Sequence, residues 1–176
     1  MDTPQSRTAV YPGTFDPLTM GHRSLVRRAL KVFETIVVAV AEQTPKNTLF
    51  TLDERVDMIR DVFANEPRII VEPFHGLLVE YVARRGAGVI LRGMRAVSDF
   101  DHEFQMALMN RRMNKDIESV FLMTDFKWLY ISSTIVKEVA KAGGDYEGLV
   151  PVQVMRRLQE KFGPPNGKRK LGGWEV

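Results

Sequence analysis

Residues 8–41 read TAVYPGTFDPLTMGHRSLVRRALKVFETIVVAVA, and the order of patterns inside this stretch decides the fold. Thr8-Ala9-Val10-Tyr11 is a short apolar run that suits a buried strand. A loop of Gly, Pro, Thr and Asp follows. Leu25, Val26, Ala29, Leu30 and Phe33 then recur at the spacing of one helix face, predicting a helix over 21–33. Thr35–Ala41 (TIVVAVA) is rich in β-branched residues and too short for a typical helix, so it reads as a central strand. A strand, a helix and a second strand in this order imply a parallel pair joined by a right-handed crossover.

The alternation continues outward. Thr51-Leu-Asp-Glu54 matches the capping box, in which a threonine and a glutamate three residues on satisfy open N–H groups at a helix start. Arg68–Glu72 reads as a strand, 76–85 as a helix, Gly88–Arg92 as a strand and roughly 99–113 as a long helix. Ser119–Met123 is a fifth strand, and Ser132–Ala142 is a helix opened by a hydroxyl cap. Pro151 suits the first position of a last helix ending near Lys161. The expectation is an α/β fold: a single-domain, Rossmann-like, doubly wound parallel sheet of about five strands with helices on both faces. That domain is expected over 1–162, with 163–176 a basic Gly/Pro-rich tail whose composition predicts disorder. Ligands of such sheets bind beyond the carboxyl ends of the strands, which directs attention to 12–21, 42–50, 73–76, 92–98 and 124–131.

Composition narrows the function. The chain has 176 residues, 44% of them hydrophobic, and no cysteine, which excludes a disulfide framework, a thiol nucleophile and a Cys-ligated metal. No apolar run approaches the roughly 20 residues of a membrane span, and no secretory signal is legible, so a cytoplasmic protein without a membrane partner is expected. The net charge of +3 and pI near 9.3 invite a nucleic-acid reading. However, residues 161–176 hold Lys161, Lys168, Arg169 and Lys170 against Glu175 alone. Taking four from 25 basic and one from 22 acidic residues leaves 21 of each in 1–160. A balanced body without aromatics interleaved on a basic face argues against nucleic acid as a partner.

Three segments in the strand-end loops carry chemistry. The first, Tyr11-Pro-Gly-Thr-Phe-Asp-Pro-Leu-Thr-Met-Gly-His22, lets backbone N–H groups approach an anion at the positive end of the next helix, where His22 stands. A lone histidine there reads as part of a tight connection. The second, Ile131-Ser-Ser-Thr-Ile-Val-Lys137, gathers Ser132, Ser133 and Thr134 at a helix N-terminus; alone it reads as an N-cap with two neighbours. Together, GTFDP with TxGH and the ISST run resemble the T/HxGH nucleotidyltransferase superfamily, which includes class I aminoacyl-tRNA synthetases and cytidylyltransferases. The third, Arg92-Gly-Met-Arg-Ala-Val-Ser-Asp-Phe with Glu103, Gln105, Ala107, Met109 and Asn110, places two multidentate arginines after a strand. Read without context, these arginines pair with Asp99 or Glu103. The whole box closely resembles the phosphopantetheine adenylyltransferase family, as do Lys46 and the FTLxER run at 50–55, over about residues 8–160. Nicotinate-mononucleotide adenylyltransferases share an ISST-like element, but the RGxRAxxDF box and Lys46 weigh against them.

The resemblance implies adenylyl transfer from ATP to 4′-phosphopantetheine, giving dephospho-coenzyme A and pyrophosphate, the penultimate step of coenzyme A biosynthesis. It further implies an in-line attack without a covalent intermediate. His22 and Thr14 would contact the α-phosphate and the acceptor phosphate, Lys46 and Arg92 would hold the attacking phosphate, and Arg95 with Ser132, Ser133 and Thr134 the β- and γ-phosphates. Gly13, Phe15, Gly93, Asp99, Glu103, Trp128 and Ile131 match the family's nucleotide pocket. Gly76, Leu77, Leu78 and Asn110 match its pantetheine site. Mg²⁺ is expected through the substrate phosphates, since no carboxylate cluster offers a dedicated metal site. A homohexamer and feedback inhibition by coenzyme A are also implied. Two departures stand out: Thr124-Asp125, where the family more often has a proline and a small residue, and Leu78 in place of a frequent methionine. Outside the pattern, His75 and His102 read as surface residues, and Met106, Met109 and Met113 as a core or subunit face.

Overall fold

β1 (Thr8–Gly13) and β2 (Thr35–Ala41) are parallel neighbours joined by α1 (Met20–Ala29), and every residue of β1 from Thr8 to Gly13 pairs with β2. The computed structural model describes residues 8–42, 47–95 and 97–165, and of 97–99 the backbone alone. Beyond β2 come α2 (Leu52–Val62), β3 (Ile69–Phe74), α3 (Leu78–Arg84), β4 (Val89–Met94), α4 (Val97–Met113) and β5 (Glu118–Met123). The described chain closes with α5 (Ser133–Lys141) and α6 (Val152–Phe162). The five strands form one all-parallel sheet in the order β3-β2-β1-β4-β5.

Alternation along the central strands builds two cores. Ala9, Tyr11, Ile36, Val38, Val40 and Leu91 face a large cluster with Leu25, Val26, Val56, Ile59, Val136, Val154 and Leu158, so α1, α2, α5 and α6 cover one side. Val10, Val37, Ala39 and Ile90 face a smaller cluster with Val79, Tyr81 and Val82 of α3 and Ile117. A strand buried on both faces must be apolar at successive positions, which is why TIVVAVA has no polar interior.

The sequence reading places the elements, and local chemistry moves their ends. Gly76 has φ +75, so the chain turns there and α3 starts at Leu78 rather than 76. Pro151 has ψ 153 and is the cap of α6, one place before the expected first helical position. Helix α1 stops at Ala29, and Leu30 to Phe33 continue as turns bonded back to α1 carbonyls. A 3₁₀ turn at Phe126–Trp128, capped by the Asp125 carboxylate, was not legible as an element. The proposed tail begins where Gly163 ends α6 at φ +82, and its residues 166–176 lie outside the described residues.

One irregularity of the sheet creates the site. β1 and β2 pair over six residues, but β1 and β4 pair only at Ala9–Val89 and Val10–Ile90. Past Val10 the two strands part, leaving a crevice between Pro12–Gly13 and Arg92–Gly93. This is also where the winding reverses, the position at which open α/β sheets bind ligands.

Candidate active site

The crevice opens into a cleft of about 490 Å³ lined by the loop after β1, the ends of β4 and β5, Trp128 and the start of α5. Its floor needs glycine. A Cβ on Gly93 would stand 2.4 Å from Leu25 Cδ1, so any side chain there would push the buried Leu25 of α1 out of place. A Cβ on Gly13 would meet the Phe15 ring at 2.8 Å. Phe15 itself has φ +50, a conformation unfavourable for a bulky residue, and its ring is buried beneath the cleft. That ring meets His22 edge-on at 5.3 Å between centroids and Tyr11 at 5.4 Å, forming an aromatic bed under the imidazole.

His22 is held by a capping box with an unusual member. Thr19 caps α1, its hydroxyl accepting from the His22 N–H, while the Thr19 N–H donates to His22 Nδ1 at 3.0 Å. A nitrogen that accepts carries no proton, so the neutral ring carries its hydrogen on Nε2. Burial, reinforced by the positive charge of Arg95, lowers the His22 pKa from 6.5 to about 4. At neutral pH the residue is therefore an uncharged donor with a fixed tautomer.

The cations are arranged around this donor. Arg92 Nε donates to Glu103 Oε2 at 2.7 Å, its Nη2 donates to Oε1 at 2.5 Å, and its Nη1 reaches the Pro12 carbonyl at 3.4 Å. It thus spans the gap between the parted strands. Burial opposes its charge, but the hydrogen bonds and charge of Glu103 prevail and raise its pKa. Arg95 Nη1 reaches the Ile131 carbonyl at 3.5 Å, on the approach to α5. There Ser132 caps the helix by accepting from the Ile135 N–H, and Ser133 Oγ donates to the Pro17 carbonyl at 2.8 Å. The N–H groups of Ser133 and Thr134 lie in the first turn, where a helix supplies no partner of its own.

Asp16 and Lys137 at the wall of the cleft, with Arg55 behind them, form a charged frame that the motif reading passed over. Asp16, only 5% exposed, accepts from the Leu49 and Phe50 N–H groups at 2.9 Å each and from Lys137 Nζ at 2.5 Å. Arg55, only 2% exposed, donates through Nη1 to the carbonyls of Thr14 and Ala41 at 2.8 and 2.9 Å. Asp16 lies within GTFDP, Arg55 closes FTLxER and Lys137 follows Thr134 by three residues on α5. All three signals were present in the quoted motifs, but burial decides their meaning, and burial is not visible in a motif.

Of the residues singled out from sequence, Gly13, Thr14, Phe15, His22, Arg92, Gly93, Arg95 and Glu103 line the cleft together with Trp128, Ile131, Ser132, Ser133 and Thr134. Gly76, Leu77, Leu78 and Asn110 do not line it. The first three lie past the end of β3, where Leu77 is exposed and Leu78 packs on the smaller core; Asn110 is buried on α4. Lys46 and the Asp99 side chain lie outside the described residues. The cleft also takes in Thr48, Thr124 and His102, the last an exposed helix residue that still reaches its rim. His75 is exposed, its Nδ1 3.8 Å from a Glu42 oxygen.

Residues 10–139, the span from β1 to α5 that encloses the cleft, match the model of the cytidylyltransferase-like family. The chain is 66% identical over 167 residues to the phosphopantetheine adenylyltransferase of Solidesulfovibrio magneticus, covering 95% of this chain and 97% of the relative. The chain belongs to the phosphopantetheine adenylyltransferase family. Members of the family from Nitratidesulfovibrio vulgaris (strain DP4) and Syntrophus aciditrophicus are 62% and 50% identical to it over 165 and 156 residues. These matches cover 94% and 89% of this chain, and 89% and 94% of the respective relatives. Family membership makes the chain a nucleotidyltransferase.

Proposed function

We propose that this chain transfers the adenylyl group of ATP to the phosphate of 4′-phosphopantetheine, releasing pyrophosphate, in the penultimate step of coenzyme A biosynthesis. The supporting observation is the neutral, oriented Nε2–H of His22 at the reversal point of the sheet, between the Arg92 side of the cleft and the α5 N-terminus. A phosphate oxygen of the acceptor is already a nucleophile, so in-line attack on the α-phosphorus needs no protein base. It needs alignment and donors for charge that shifts between oxygens.

In this mechanism His22 and Thr14 bind oxygens at the α-phosphorus, and the bond from that phosphorus to the pyrophosphate oxygen breaks as the new P–O bond forms. Arg95 and the N–H and hydroxyl groups of Ser132, Ser133 and Thr134 bind the leaving pyrophosphate. Arg92, with Lys46 by the family's pattern, holds the acceptor phosphate. Glu103 grips two edges of Arg92, so it orients the guanidinium and shares it with the incoming phosphate. Gly13, Gly93, Phe15, Trp128, Ile131 and Asp99 complete the nucleotide side, with Asp99 carried by the pattern alone. Gly76, Leu77, Leu78 and Asn110 are assigned to the pantetheine arm, outside the phosphate cleft.

Among the described residues no three His, Asp or Glu side chains gather as a metal site, and the Asp16 and Glu103 carboxylates of the cleft are engaged by cations. Mg²⁺ would be carried by the triphosphate and water rather than by a dedicated set of side chains. When bound, it would draw negative charge from the phosphate oxygens. We further assign a cytoplasmic location, a homohexameric state and inhibition by coenzyme A, which shares the pantetheine arm with the acceptor. The exposed apolar face of α4 supports assembly.

Pyrophosphate release measured with ATP and each acceptor tests the reading. Turnover with 4′-phosphopantetheine and not with nicotinate mononucleotide is expected, and the reverse result would overturn it.

A further inference from the structure

The Asp16–Lys137 pair at the wall of the cleft is not used by the mechanism above, and its placement is specific. Asp16 lies in the loop after β1, two residues past Thr14, and accepts backbone N–H groups from the segment entering α2. Its remaining partner, Lys137, sits on α5 one turn beyond Thr134. One carboxylate, itself on the loop after β1, therefore ties that loop to two other chain segments, and of the three joined segments two carry the groups assigned to the α-phosphate and to the pyrophosphate.

We propose that the Asp16–Lys137 ion pair is a positioning device for adenylyl transfer, fixing the start of α5 against the loop after β1 so that the two phosphate-binding groups keep register. This inference rests on the proposed reaction. With Asp16 buried and the Lys137 side chain 26% exposed to the cleft, the pair recovers little net stability, because desolvation of the carboxylate offsets much of the attraction. Its geometric demand is strict, however, since the buried Asp16 carboxylate is costly to leave without its cation. The fold does not need the pair to dock α5: Val136 and Ala140 are in the main core, and Ser133 Oγ already binds the Pro17 carbonyl. Those contacts allow sliding and tilting that a short charge-assisted bond does not. In-line transfer is sensitive to such motion, since a displacement of about 1 Å costs roughly a hundredfold in rate. Arg55 separately fixes the Thr14 carbonyl, so removing Lys137 releases the α5 side alone, whereas Asp16→Asn also gives up one of the two backbone N–H bonds from Leu49 and Phe50.

A double-mutant cycle in the full-length protein tests this, using Asp16→Asn, Lys137→Met and the two combined. Each single change is expected to lower kcat by 10- to 100-fold with KM for ATP and acceptor changed less than about threefold. The double variant should be no worse than the poorer single one, and Lys137→Arg should restore most of kcat. Multiplicative losses would overturn the proposal. So would a raised ATP KM with unchanged kcat in Lys137→Met alone, which would make Lys137 a direct phosphate ligand. If Asp16→Asn does not fold, Lys137→Met against Lys137→Arg decides, and equal impairment of both overturns the proposal. Amide exchange at 14–19 and 133–136 in the same proteins reads the coupling without turnover. It should quicken in each single variant and no further in the double, and unchanged exchange refutes the device. Absence of wild-type turnover with these substrates would instead refute the proposed reaction.

Discussion

His22 donates through Nε2 because the Thr19 N–H occupies Nδ1, and it stays neutral because burial and Arg95 disfavour its cation. In the proposed mechanism its contact strengthens as charge moves onto the α-phosphate oxygens, so His22→Ala is expected to cut kcat by about 10²- to 10³-fold, the usual worth of such a donor, while the KM for ATP stays within a few-fold. Near-normal turnover would remove His22 from the mechanism. The same pKa predicts an acid sensitivity. With a folded pKa of about 4 against 6.5 for the unfolded chain, the unfolded state binds more protons between those values, so stability falls as pH drops through that window. Thermal melts of wild type and His22→Gln from pH 7 to 4 should show a steeper decline in wild type; parallel curves would show that His22 does not titrate this way. The motif made His22 legible, but neither its tautomer nor its neutrality was, because both depend on a backbone donor and on burial.

Two capping boxes that look alike in sequence differ in consequence. At α2, Thr51 and Glu54 exchange side-chain and backbone hydrogen bonds, and Glu54 also pairs with Lys161 of α6 at 3.0 Å. At α1, Thr19 does the same with His22 in the acidic residue's place. Removing a threonine cap costs about 1 kcal/mol. Thr51→Ala should therefore lower Tm by roughly 2–4 °C in a protein of this size and leave kcat unchanged. Thr19→Ala should show a similar Tm shift together with a loss of kcat of at least about tenfold, since the hydroxyl beside Nδ1 also anchors the imidazole. Equal kcat in the two variants, measured alongside their melts, would show that the second box is only a cap. The Thr51 box could be read directly from Thr-x-x-Glu, whereas the Thr19 box could not, because histidine is not the residue that pattern seeks. The same limit applies to element ends: strand-helix alternation was plain, but the parting of β1 from β4 after Val10 is a property of pairing and leaves no periodic trace.

Across the whole molecule, α4 links the cleft to a surface that a lone chain leaves uncovered. Glu103 on this helix grips Arg92, while Phe100, Phe104, Met106, Leu108, Met109 and Met113 are each between 43% and 54% exposed. Phe100 and Phe104 stack at 5.5 Å, and Leu108 continues their row at four-residue spacing. The methionines were legible as a core or subunit face, but choosing between those needed the sheet, because only packing shows which sides of α4 the strands leave open. An apolar row of this extent calls for a partner, and a second copy of this chain is the partner that the proposed hexamer supplies. Light scattering should then give about 120 kDa for six chains of 20.1 kDa each. Phe104→Glu should shift the mass to smaller species, since burying an unpaired carboxylate in an apolar contact is unfavourable. Because Glu103 is the adjacent residue, dissociation should also loosen Arg92 and raise the acceptor KM more than the ATP KM. A wild-type mass of 20 kDa would leave α4 without its proposed partner, and a dissociated variant with unchanged acceptor KM would separate assembly from the grip on Arg92.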